Sequence, residues 1–152
     1  MSAVTNTTIL SRTVLNTKSV LESLVGSTII DPKYGNRSAN QPFIRTTRAR
    51  KDKYYPHITV ASFTGPHSLL SLQGDQLKIP VLVQVSVWTK SIKDIDSIFS
   101  QVIEAMRSTR STFKAYGMHR ANPFCGDVSP ILTDADEVHM RAATYQFKYY
   151  MS

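Results

Sequence analysis

Two stretches of the chain carry hydrophobic periods strong enough to predict their own structure. From Leu77 to Thr89, Ile79, Val81, Val83, Val85 and Val87 alternate with Pro80, Leu82, Gln84, Ser86 and Trp88. A period of two predicts a strand with five β-branched side chains on one face of the pleat, and that face must be buried. The other face is half polar, with Leu82 and Trp88 as exceptions, and Trp88 reads as a core or interface aromatic. From Ile92 to Arg107, the residues Ile92, Ile95, Ile98, Phe99, Val102, Ile103 and Met106 recur three and four apart, which predicts an amphipathic helix. Ser91 stands at its N-cap, and Asp94 follows three residues on, close to a capping box. The connection is only about three residues long, so the helix is expected to fold back across the sheet that contains Val83.

Weaker patterns flank this unit. Leu10, Val14, Leu21, Leu24 and Val25 predict a helix over Ser11–Val25, capped by Ser11 and ended by Gly26 in a left-handed conformation. A short strand at Thr28–Ile30 would be stopped by Asp31 and Pro32. Ile58–Phe63 reads as a strand, and Pro56 before it, lacking an N–H, predicts that it begins at a sheet edge. Gly65-Pro66 and Gly74-Asp75 mark turns around a short apolar run. Further strands are expected at Phe113–Met118 and Val128–Leu132, with an acidic turn at Asp134–Glu137. Val138–Met151 predicts a last strand whose more aromatic set, including Tyr145, Phe147 and Tyr149, faces the core. Strands without regular intervening helices predict an α+β fold, a mostly antiparallel sheet with two helices packed on one face.

Composition limits the function classes. The chain has 152 residues, 41% of them apolar and 19% charged, which is a globular mixture and excludes a disordered tail. One domain over residues 1–152 is expected, with a long basic loop at about 32–54. The most apolar stretch, Ile79–Trp88, is too short to span a bilayer, so no membrane association is expected. The opening residues lack a charged start followed by an apolar run, so no secretory leader is expected. A single cysteine, Cys125, excludes an internal disulfide and a zinc site built on several thiolates. Beside the turn Gly126-Asp127, it reads as a small buried residue. Together these features predict a soluble protein that folds inside a cell.

Charge sharpens the picture. The first 60 residues hold nine basic against three acidic residues, and the remaining 92 hold nine against eight. Most of the excess lies between Lys33 and Lys53, in KYGNRSANQPFIRTTRARKDK, which is poor in periodic apolar residues and reads for the most part as a long loop. Such a loop attracts polyanions at long range. Its plain reading is a solvated surface loop, with contact to nucleic acid or to an acidic partner surface as the alternative.

Motifs for chemistry are sparse. There is no GxxxxGK phosphate loop, no GxGxxG turn and no pair of histidines four apart. His57-Ile58-Thr59 matches the H-x-T pattern with which two-histidine phosphoesterases set two imidazoles across a phosphate. That chemistry needs a second copy. His67, His119 and His139 all lack Ser or Thr two residues on. No catalytic residue, metal ligand or cofactor is therefore expected, and the chain reads as a non-enzyme. Neither an RNP-like strand pair nor a groove-reading basic helix is present.

The stretch KIPVLVQVSVWTKSIKDIDSIFSQVIEAM resembles the central strand and helix of the tail terminator (tail completion) proteins of tailed viruses. The resemblance extends from about Ser11 to Tyr150. It includes an N-terminal helix, the YPHITVAS segment, a V-x-V-W-S/T ending at Val85, Val87, Trp88 and Thr89, and a Y-x-F-x-Y tail at Tyr145, Phe147 and Tyr149. Pro32–Lys53 and Asn122–Asp136 lie outside it. It implies a structural virion protein of the tail or neck, assembled in the host cytoplasm as a hexameric ring. Such a ring caps the tail tube and joins it to the head-side connector while DNA passes through the lumen. The implied partners are copies of itself, the tail tube protein, the head–tail connector protein and, transiently, passing DNA. A basic loop in the lumen, carrying Arg45, Arg48, Arg50, Lys51 and Lys53, would touch phosphates without reading bases. The same loop would also suit an acidic surface on the tube or connector. The alternatives are a non-sequence-specific nucleic-acid-binding module using this loop and a head-closure or neck protein.

Overall fold

The computed structural model describes residues 6–33, 42–47, 55–64, 71–73, 76–119 and 127–151. In chain order the elements are α1 (Asn6–Ser23), β1 (Ile44–Arg45), β2 (His57–Thr64), β3 (Ser71–Gln73), β4 (Gln76–Thr89), α2 (Ile92–Ser108), α3 (Arg110–Ala115), β5 (Asp127–Val128), β6 (Leu132–Thr133) and β7 (His139–Met151). The fold is α+β, as the pattern predicts. The sheet runs β1-β2-β4-β7-β5, with β3 added to β4 and β6 to β7. Every pairing is antiparallel except β1 with β2, which is parallel.

The alternating valines form the floor of the core. Val81, Val83, Val85 and Val87 are all fully buried. Burying a side chain of this size contributes about 1.5–3 kcal/mol. Register extends that face sideways, because Val85 pairs with Val60 on β2 and Ala143 on β7, and Val83 with Tyr145. Of the aromatic set of β7, Tyr145 and Phe147 are buried in the core, as expected. α2 returns over this floor and buries Ile95, Ile98, Phe99, Val102, Ala105 and Met106. α1 lies against β2 and beside α2, so both long helices share one face of the sheet.

Several local expectations are corrected. α1 starts before Ser11, which lies inside the helix, and it ends at Ser23. Among its described side chains, Thr13, Thr17, Val20 and Leu21 are buried at helical spacing, so two threonines help form the core face. Thr28–Ile30 forms only an isolated bridge from Ile29 to Val25, beside Gly26 at a φ of 96°. Within the basic segment, Ile44 and Arg45 form β1. β1 covers the start of β2 at Ile58 and Thr59, so Pro56 does not introduce an edge there. Phe113–Met118 is not a strand: α3 occupies Arg110–Ala115, and the Phe113 ring packs tilted against Phe147 with centroids 4.9 Å apart. Ile92 is 57% exposed, because the first residue of α2 projects beyond the sheet. Ser91 makes no side-chain cap bond. The Thr89 hydroxyl accepts from the Ser91 N–H (3.1 Å) and shapes the turn in its place. Val128–Leu132 divides into β5 and β6.

Candidate interaction surfaces

The sheet face opposite the helices carries an aromatic and hydroxyl cluster that begins with the H-x-T segment. His57 and Thr59 are two residues apart on β2, so both point to this face. Their partners across the ladder are Trp88 and Ser86. The imidazole of His57 lies parallel to the Trp88 ring at 6.3 Å, with Tyr55 tilted against it at 4.8 Å. The indole Nε1–H of Trp88 donates to Thr59 Oγ1 at 2.9 Å. His57 is fully buried. An imidazole enclosed in this way stiffens the strand pair, and phosphate from solvent has no access to it in this arrangement.

The other described histidines are placed separately. His139 Nδ1 lies 2.8 Å from Thr133 Oγ1, where β6 meets β7. His119 forms a backbone bridge with Lys148 on the outer edge of β7. Among the described residues, no three of His, Cys, Asp and Glu are gathered to hold a metal ion, and no helix is long and apolar enough to cross a membrane. His67 and Cys125 lie outside the described residues.

The same sheet face continues over Ala61, Leu82, Gln84, Met140, Ala142, Thr144 and Gln146, which register brings side by side. None of these carries a charge, and the patch is bounded by Lys148, next after Gln146 on this face, and by Arg45, in register with Thr59. A solvated face of an antiparallel sheet usually bears charges, whereas the centres of protein interfaces lack them and favour Trp and Met.

Of the predicted basic residues, the structure places Arg45. It is half-buried on β1, in register with Thr59 of β2. Arg48, Arg50, Lys51 and Lys53 lie outside the described residues.

Two ends of the molecule carry charges that no motif marks. Where β4 turns into α2, the acidic turn Asp134–Glu137 is held by Asp134 Oδ1, which accepts the Asp136 and Val138 N–H groups. Lys90 Nζ donates to the Asp136 carbonyl at 2.6 Å, fastening that turn beside α2. At the far end of α2, Arg107 and Lys114 are exposed and Lys148 is half-exposed. The signal was legible only in part, because each group collects residues from different elements.

No protein-family model matches the chain, and no curated protein matches it.

Proposed function

We propose that this chain is a structural assembly protein of a virion, a tail terminator that forms a ring on the end of a tail tube. One observation supports the reading. The three segments that carry the resemblance are neighbours in one sheet: YPHITVAS supplies β2, the valine ribbon is β4, and the Tyr145–Tyr149 tail is β7. β2 and β7 pair on either side of β4 at Val60, Val85 and Ala143, and β4 runs directly into α2. The centre of the sheet face opposite the helices, bounded by Arg45 and Lys148, has the composition of a protein-contact surface.

In this reading the partners are further copies of the chain, the tube protein and the head-side connector. Arg45, Arg48, Arg50, Lys51 and Lys53 face either passing DNA or an acidic protein surface. The test is the mass of the purified protein together with electron micrographs after mixing with polymerised tail tubes. Ring-shaped particles, six-fold and seated on tube ends, are expected. A protein that leaves tube length and tube ends unaltered overturns the reading. Replacing all five basic residues by Gln then separates their roles. Lost capping assigns them to a protein partner, lost DNA passage with capping retained assigns them to DNA, and no change makes them solvated surface.

A further inference from the structure

We draw no further inference here: the strongest candidate, the surface patch at the centre of the sheet face opposite the helices, where Leu132 of β6, Met140 of β7 and Trp88 of β4 stand in one cross-strand row, carries none, because nothing in the structure shows what covers it.

Discussion

The guanidinium of Arg141 lies 4.7 Å above the ring centroid of Phe99, joining the outer part of β7 to the buried face of α2. Its Nη1 also reaches Asp96 Oδ1 at 3.1 Å, and its Nε donates to the Ser129 carbonyl at 3.3 Å. These contacts differ in worth. Asp96 is 70% exposed, so its ion pair should contribute under about 1 kcal/mol. The stack on Phe99 and the tether to Ser129 are better shielded. Arg141→Ala is therefore expected to cost about 1–2 kcal/mol in denaturant unfolding, and Asp96→Asn only a few tenths, roughly. Arg141→Lys keeps the charge but loses the planar stack, and should behave more like Ala than like the wild type. Equal losses for Asp96→Asn and Arg141→Ala would show that the ion pair dominates.

A second prediction concerns the end of α3. Gly117 adopts a φ of 79°. The Met118 N–H returns to the Phe113 carbonyl (3.0 Å) and the Gly117 N–H to the Lys114 carbonyl (2.9 Å), which together form a Schellman motif. A Cβ at this position would meet nothing within 4 Å, so steric crowding is no obstacle. The cost of Gly117→Ala is then backbone strain alone, about 1 kcal/mol. Gly117→Asn should recover part of it, since Asn tolerates the left-handed region. Urea titrations of the three proteins check the order Gly, Asn, Ala.

The contrast between β4 and α3 explains what was legible beforehand. The valine ribbon and α2 each repeat their period over four or more apolar residues, so tertiary packing and local preference agree. α3 spans six residues with Phe113 as its buried apolar anchor, too short to show a helical period. Gly117 was the available signal, as a C-cap. In α1 the core face includes Thr13 and Thr17, which residue type alone assigns to the outside. β1 is two residues long and owes its pairing to β2. The H-x-T segment was visible as a pattern. Its surroundings were not, because the β2–β4 register brings Thr59 to an indole 29 positions away. Of the anticipated basic residues, Arg45 has a place on the β1 edge, and the acidic and basic ends arise only after folding.

Thr17 provides a third prediction. It is fully buried on α1, and its Oγ1 has no hydrogen-bond partner. An unsatisfied buried hydroxyl costs about 1–3 kcal/mol of desolvation, so replacing it by a methyl group of similar shape should stabilise the protein. Thr17→Val is expected to gain about 1 kcal/mol, reduced by a few tenths for the lower helix preference of valine, roughly. A higher melting temperature with unchanged cooperativity checks it. A loss of stability would mean that the hydroxyl is satisfied in solution. Thr17→Ser, which keeps the hydroxyl and opens a cavity, should lie on the unstable side of the wild type.

The last prediction concerns His57. It is fully enclosed between Tyr55 and Trp88, and Trp88 is the chain's single tryptophan. Emission from that indole therefore reports directly on the stack. Truncating a buried ring leaves a cavity, so His57→Ala should cost about 2 kcal/mol or more and alter the Trp88 spectrum. His57→Phe keeps the ring and should recover most of the loss, because the stack itself depends on shape and aromatic surface rather than on a titrating nitrogen. An H-x-T catalyst would behave in the opposite way. Phosphodiester hydrolysis would disappear in both variants, whatever their stability. Melting curves and a hydrolysis assay on the same three proteins therefore discriminate the two roles. Rescue by Phe assigns His57 to packing, and turnover that only the histidine supports assigns it to chemistry.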